Sequence, residues 1–237
     1  MMPFLLKNAN WKFDTVPQKG LNGRTGYQPR GRGLGGSSAI NAMVYIRGNK
    51  WDYDNWAALG CDGWSYDDVL PYFKKSESNE RGGDAYHGGD GPLSVSDQKW
   101  PNPGSVAFVE AARNLQLPIV DDFNGEKQEG MGLYQVTQKG GERWSAARAY
   151  VEPARDRKNL TIRTKSLVEK LIVKDGRVTG VQIKRGFGRE TISARGAVVL
   201  SAGAFGSPHI LQLSGIGPAA HLKDKGVDVV CDKPEVG

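Results

Sequence analysis

The segment GRGLGGSSAIN, residues 31–41, carries three glycines, Gly31, Gly33 and Gly36, at the G-x-G-x-x-G spacing of a dinucleotide-binding turn. Such a turn follows a hydrophobic strand, opens a helix and precedes by about 20 residues an acidic residue on a second strand. The preceding residues LNGRTGYQPR do not alternate like a strand. Asp52 and Asp54 lie in GNKWDYDNW, which also lacks β alternation. The spacing alone therefore does not predict the first turn of a dinucleotide-binding fold.

The same segment has a composition that suits close contact with a ligand. Gly35-Gly36-Ser37-Ser38 allows the backbone to approach a ligand, and the two hydroxyls and Asn41 offer donors and acceptors. The alternative is a glycine-rich turn whose Ser and Asn side chains satisfy local backbone groups. The residue types leave both interpretations open.

Length and composition indicate one or two globular domains, with 237 residues of which 38% are hydrophobic and 24% charged. The two cysteines, Cys61 and Cys231, lie too far apart for a C-x-x-C pair, so we expect buried free thiols and no metal site. The net charge of +6 is scattered over the chain, which argues against nucleic-acid binding. No apolar run approaches the roughly 18 residues of a membrane span.

The first half of the chain contains two predicted helices separated by turn-rich sequence. Ser65 and Asp68 form a capping-box pattern at the start of a helix over residues 65–79. A second amphipathic helix is predicted over residues 105–115, with Val106, Val109 and Ala112 facing inward. A long polar loop is expected from there to about residue 142.

The second half indicates an α/β fold with an antiparallel element. Asp175-Gly176 between two β-rich runs predicts a hairpin. Residues 197–202 are almost continuously apolar, which is typical of a strand buried on both faces in a parallel sheet. A helix is expected directly after them, in GAFGSPHILQLSGIGP, residues 203–218.

Two long motifs resemble the signatures of the glucose-methanol-choline (GMC) oxidoreductases, flavoenzymes that oxidise alcohols with FAD. The first is GRGLGGSSAINAMVYIRGNKWD, residues 31–52, and the second is residues 203–218. The stretches WSYDDVLPYFKKSE, YHGGDGPLSV, RWSAARAYVEPA and NLTIRT look most like the choline dehydrogenase and bacterial alcohol dehydrogenase branch. The resemblance implies that residues 1–237 form an incomplete GMC-type FAD-binding domain, α/β with antiparallel elements, with a substrate-domain insertion around residues 65–145.

The resemblance also implies a set of cofactor-binding residues. The segment that lines the flavin is matched by Asn41, Ala42, Met43 and Val44, and the glycine turn leading to it by Gly33 and Gly36. Val168 matches the valine whose backbone touches the adenine. An isoalloxazine ring needs apolar walls and a few fixed hydrogen bonds, which an Asn-Ala-Met-Val segment can supply. Ile40 stands where some relatives attach FAD through a histidine, so non-covalent FAD is expected.

The implied reaction is oxidation of a primary alcohol, with choline as one candidate, by proton abstraction and hydride transfer to flavin N5. A quinone-like acceptor or oxygen would then reoxidise the flavin. The resemblance places the ADP-binding turn before Met1 and the proton-accepting histidine beyond Gly237. We therefore expect an internal part of a longer enzyme, inactive alone, with no catalytic residue in this chain.

The three histidines, His87, His209 and His221, are expected to have structural roles, and loss of any one should change stability by no more than about 1 kcal/mol. The alternative function is a non-catalytic remnant that acts as a binding or interaction module, with nucleic-acid binding a distant third. We expect a cytoplasmic location, with peripheral attachment to the inner membrane as the alternative.

Overall fold

A computed structural model describes residues 9–237, which divide into a first unit ending at Thr161 and a second unit, Ile162–Gly237. The first unit contains β1 (Phe13–Asp14), β2 (Tyr27–Gln28), α1 (Lys50–Ala58), α2 (Tyr66–Ser76), β3 (Glu77–Asn79), β4 (Leu93–Val95), α3 (Pro103–Asn114), β5 (Gln138–Lys139) and β6 (Glu142–Arg143). The second unit contains β7 (Leu167–Lys174), β8 (Arg177–Arg185), β9 (Gly188–Ser193), α4 (Gly203–Leu213), β10 (Ile216–Gly217), α5 (Ala219–Asp224) and β11 (Cys231–Asp232). The predicted α/β class with antiparallel elements is confirmed.

Helix α2 begins with the predicted capping box. The Ser65 hydroxyl accepts a hydrogen bond from the Asp68 backbone N–H (3.3 Å), and the Asp68 carboxylate accepts one from the Ser65 N–H (3.1 Å). The helix ends three residues earlier than predicted, at Ser76, because Glu77 enters β3 and pairs in parallel with Leu93 of β4. This early end places the Glu77 side chain in the interior of the unit.

Helix α3 confirms the second predicted helix and begins at Pro103, whose missing N–H has no consequence in a first helical turn. Ala112 is buried, as predicted. Val106 was expected to face inward, but 40% of it is exposed. The inward-facing side of the helix is therefore narrower than the pattern indicated.

Strands β7, β8 and β9 form an antiparallel meander in the second unit. Asp175 (φ 50°) and Gly176 (φ 72°) connect β7 to β8, which confirms the predicted hairpin and the positive φ that such a turn requires. Leu171 and Ile183 of this sheet are buried. Ser214, directly after α4, accepts a hydrogen bond from the Leu171 N–H (2.8 Å) and so joins the helix end to β7.

Two expectations about burial are wrong. Residues 197–202 form no strand, and Val199 is 86% exposed. Within residues 9–237 no strand pairs with this run, so its apolar side chains have no sheet neighbour to bury them. Cys61 and Cys231 are free thiols, but both are exposed rather than buried.

Across residues 9–237, none of the helices has both the length and the apolar character that a membrane crossing requires.

Candidate functional site

The glycine-rich loop of residues 31–36 owes its shape to backbone conformations that favour glycine. Gly33, Gly35 and Gly36 have φ angles of 150°, 85° and 52°. A β-carbon on Gly31 would collide with the backbone carbonyl of Gly36. Beside Gly33 and Gly36, by contrast, a β-carbon would meet nothing within 4 Å. The loop thus presents the backbone of these two glycines to open space.

The loop leads into a single short 3₁₀ turn, Gly36–Ala39, rather than into an α-helix. The only regular structure just before it is the two-residue strand β2. The G-x-G-x-x-G spacing therefore does not form a strand-turn-helix unit here, as its sequence context indicated.

The backbone from Asn41 to Arg47 is attached to the first unit at every second residue. The Met43 carbonyl accepts a hydrogen bond from the Thr137 N–H (2.8 Å), and the Tyr45 N–H donates to the Gln135 carbonyl (2.9 Å). The Arg47 N–H donates to Oδ1 of Asn124 (2.8 Å). These three contacts fix one side of the segment.

The residues that alternate with these attachment points form an exposed aliphatic strip, which we define as Ala42, Val44 and Ile46. Val44 is 43% exposed and Ile46 47% exposed. Met43 and Tyr45 are half-buried and Arg47 is buried, so exposure alternates along the segment and the aliphatic side chains face outward. The segment presents a small apolar surface on a fixed backbone.

Met43 has a φ of 65°, which is uncommon for a residue with a β-carbon. Its N–H donates to Oδ1 of Asn41 (3.0 Å), which closes a tight turn at the start of the strip. Strained conformations of this kind persist where the surroundings fix them, and they concentrate at functional sites.

Arg143 holds the other side of this turn. Its Nη1 donates to Oδ1 of Asn41 (2.8 Å) and to the carbonyl of Ser38 (3.1 Å). The Ala146 N–H donates to the Ser38 hydroxyl (2.9 Å). The sequence motif RWSAARAY thus supports the glycine loop from a distant part of the chain, a role that its composition did not reveal.

The far end of the strip is anchored by a buried ion pair. The side chains of Arg47 and Glu77 are 3% and 0% exposed, and Nη2 of Arg47 lies 2.6 Å from Oε2 of Glu77. Nη1 of Arg47 also donates to the Tyr86 carbonyl (2.7 Å). Buried charges of this kind require such pairing and hydrogen bonding.

His87 completes this cluster. Its Nδ1 lies 3.0 Å from Oε1 of Glu77 and its Nε2 lies 2.8 Å from Oδ2 of Asp122. The hydrogen bond to Asp122, followed by that to Glu77, raises the pKa of His87 to about 9 against the opposing effect of burial. Burial by itself would raise the pKa of Asp122, but the hydrogen bond from His87 lowers it.

Apart from the glycines of YHGGDGPLSV, no sequence pattern indicates this buried network. A β-carbon on Gly88 would overlap the Lys74 carbonyl, and one on Gly91 would overlap the Glu77 N–H. These glycines therefore allow the loop after His87 to lie directly against the end of α2 and the start of β3. That close packing is what brings His87 to Glu77.

The remaining predicted residues lie in the second unit. Val168 is a half-buried residue of β7 opposite Ile183, next to a bulge at Glu169. His209 and His221 are exposed. The structure thus brings Gly33, Gly36 and residues 41–44 together in one segment, whereas contact of Val168 with the same ligand stays a prediction.

The chain is similar to a known protein family along nearly all of its described residues. Residues 10–237 match the family model described as GMC oxidoreductase. The oxygen-dependent choline dehydrogenases of Sinorhizobium fredii and Rhizobium etli are 48% and 46% identical to the chain over 235 residues, which is 99% of the chain and 43% of each relative. The chain therefore spans less than half the length of these curated relatives.

Solved structures share the fold. Pyridoxine 4-oxidase from Mesorbium loti superposes with a TM-score of 0.90 at 35% identity, over 96% of this chain and 45% of that protein. An FAD-dependent oxidoreductase from Chaetomium thermophilum superposes with a TM-score of 0.88 at 34% identity, over 96% and 42% respectively. Together with the family match, these likenesses show that the chain belongs to the GMC oxidoreductase family of flavoproteins.

Proposed function

We propose that this chain forms part of the FAD site of an enzyme that oxidises a primary alcohol, with choline as the first candidate substrate. The observation that carries the proposal is the aliphatic strip, exposed and fixed by alternate backbone hydrogen bonds, next to a glycine loop whose backbone is open to a ligand. The names of the choline dehydrogenases that the chain resembles support the choice of substrate.

The residues present fit an isoalloxazine ring. A flavin needs an apolar wall and a few fixed hydrogen-bond donors or acceptors. Ala42 and Val44 provide the wall, while Gly33 and Gly36 allow close approach of the backbone. Ile46 extends the same wall, although the resemblance did not single it out.

Asn41 supplies an oriented donor. Its Oδ1 already accepts from the Met43 N–H and from Arg143, so the amide must turn its Nδ2 away from both groups. Within residues 9–237 no acceptor takes the Nδ2 hydrogens, and the residue is exposed. We assign Asn41 Nδ2 as a hydrogen-bond donor to a polar edge of the cofactor.

When bound, FAD supplies the hydride acceptor at its N5. This chain's contribution is to hold the ring and exclude water from one face through the strip. The same proposal includes a proton-accepting histidine, a contact between the Val168 backbone and the adenine, and a substrate-domain insertion at residues 65–145. It also includes reoxidation by a quinone-like acceptor or oxygen, and a cytoplasmic or peripheral membrane location.

The test uses the protein translated from the complete reading frame that contains this sequence. Flavin absorbance per protein, measured after desalting, reports cofactor binding, and bleaching by choline without oxygen reports the reaction. Val44→Asp places a charge on the strip and should abolish flavin retention. Val16→Asp is the matched control, because Val16 is 74% exposed and lies outside the strip.

Loss of flavin from Val44→Asp but not from Val16→Asp would support the proposal. A wild-type protein that holds no flavin, or a Val44→Asp variant that keeps it stoichiometrically, would contradict it and favour a non-catalytic binding module.

A further inference from the structure

The imidazole of His87 contacts two carboxylates. Each carboxylate is connected by further contacts to the backbone at residues 45–47. Through Nδ1 it contacts Glu77, whose other oxygen binds the guanidinium of Arg47 (2.6 Å). Through Nε2 it contacts Asp122, whose Oδ1 accepts a hydrogen bond from the Asn124 N–H (2.8 Å). Two separate series of contacts therefore start from the imidazole ring of His87.

The second series of contacts ends on the backbone of Tyr45 and Arg47, on either side of Ile46 in the strip. The Asn124 side chain is buried, and its Oδ1 accepts from the Arg47 N–H (2.8 Å) while its Nδ2 donates to the Tyr45 carbonyl (3.2 Å). Arg47 is thus held by its side chain through Glu77 and by its backbone through Asn124. Both routes fix residues 45–47, the end of the aliphatic strip.

Each ring nitrogen of His87 faces a carboxylate, an arrangement that suits a ring donating from both nitrogens. Both partners are carboxylates, and only the imidazolium carries a hydrogen on each nitrogen. Nδ2 of Asn79 lies 3.1 Å from Nδ1 of His87, but its two hydrogens go to Oε1 of Glu77 (3.0 Å) and Oε1 of Gln135 (2.8 Å). Both hydrogens of Asn79 Nδ2 are therefore used by other acceptors, and Nδ1 of His87 is left to donate to Glu77.

The charges around His87 favour the same state. The charged side chains that contact the residue or its direct partners are Arg47, Glu77, Asp84 and Asp122, and the charge of Arg81 also acts on Asp122. A neutral ring could donate to only one of its two carboxylates, and the other would lose its hydrogen bond from His87.

We propose that protonated His87 is a positioning residue that holds residues 45–47, and through them the aliphatic strip, in the geometry that receives the flavin. The inference rests on the proposed flavin site. Loss of the ring proton releases one of the two routes and loosens the end of the strip, so flavin affinity depends on a group that does not touch the flavin.

The first test measures the FAD dissociation constant of the apoprotein from about pH 7 to about pH 10. Wild-type affinity should fall about tenfold across a midpoint near 9, equal to about 1.4 kcal/mol. His87→Gln, which keeps a donor but no charge, should bind FAD at pH 7 as weakly as wild type at pH 10 and show no step. His209→Gln is the matched control and should keep the wild-type profile, because His209 is exposed.

The second test needs no cofactor. Hydrogen exchange of the Arg47 amide, corrected for base catalysis, should accelerate about tenfold in wild type above pH 9 and already at pH 7 in His87→Gln. The Leu171 amide of the second unit is the internal reference. Asp122→Ala removes both acceptor oxygens of one route at a side chain that is 28% exposed, and it should give the same loosening if His87→Gln does not fold.

The outcomes separate this inference from the proposed function. Arg47 exchange that depends on His87, in a protein that binds no FAD, would support the positioning role while contradicting the flavin site. Affinity and exchange that are flat across pH 9 in wild type, or unchanged in both variants, would overturn the inference even if flavin is bound.

Discussion

Nη1 of Arg143 lies 2.8 Å from Oδ1 of Asn41, although 102 residues separate them in the chain. The contact joins the two stretches that frame the glycine loop, because the same Nη1 also binds the Ser38 carbonyl. The orientation of the Asn41 amide therefore depends on a side chain outside the first signature motif.

Replacing Arg143 with lysine should weaken flavin binding about tenfold, since an ammonium cannot reproduce the fixed directions of a guanidinium. Titration of the apoprotein with FAD measures this directly. Arg157→Lys is the matched control, because Arg157 is exposed and distant in sequence from the loop. Equal affinity in Arg143→Lys and wild type would show that Arg143 does not orient Asn41.

His87→Ala should destabilise the fold by about 3 kcal/mol, because it removes the shared donor of two carboxylates, one of them fully buried. The expectation of about 1 kcal/mol, made for surface or loop histidines, does not suit a side chain that is 6% exposed. Urea unfolding measures the difference. His221→Ala, at an exposed position, should stay within about 1 kcal/mol of wild type, and a similar small change in His87→Ala would argue against the cluster.

Stability should fall as the pH rises through about 9. The folded-state pKa of His87 is raised from its ordinary 6.5 to about 9, so its contribution is complete below pH 6.5 and is lost as the folded-state group deprotonates. A difference of this size corresponds to roughly 3 kcal/mol. Urea unfolding at pH 7 and pH 10 should show the loss in wild type and a much smaller one in His87→Gln; equal losses would assign the effect to other groups.

Gly88→Ala should lower the stability by about 1 to 3 kcal/mol, because the added methyl group overlaps the Lys74 carbonyl at the end of α2. The melting temperature reports the change. Gly20→Ala is the control, since a β-carbon there meets nothing within 4 Å and the residue has no positive φ. If both variants melt with wild type, the loop after His87 is not closely packed.

FAD in the protein should be bound without a covalent bond. The residue before Asn41 is Ile40, whose side chain has no nucleophile. Acid precipitation should therefore release all flavin into the supernatant, and the denatured protein band should show no flavin fluorescence. Fluorescence that stays with the band would place an attachment site elsewhere.

The elements that the sequence predicted well are those determined by neighbouring residues. The capping box at Ser65 and Asp68 and the hairpin at Asp175-Gly176 each depend on interactions within a few positions. The run at residues 197–202 was misjudged because burial of a strand depends on partners that its own composition cannot supply.

From the sequence, the candidate site could be predicted only as a continuous segment, without the distant residues that contact it. The motif at residues 31–52 marks the glycine loop and the strip, but the contacts that fix them come from Arg143, Asn124 and Glu77. The burial of His87 could not be predicted, because no local pattern shows that Gly88 and Gly91 permit it. Hydrogen bonds between residues that are far apart in the chain produce no periodic pattern in the sequence.

The alternating attachment of residues 43, 45 and 47 restricts how the length of this segment can change. Inserting or deleting one residue between Ala42 and Ile46 would exchange the exposed positions with those whose backbone is hydrogen-bonded, so the aliphatic side chains would lose their exposed places. A change of two residues would preserve the facing of every side chain. Natural variants of the segment are therefore expected to differ in length only by even numbers of residues. Sequencing of related genes can check this expectation.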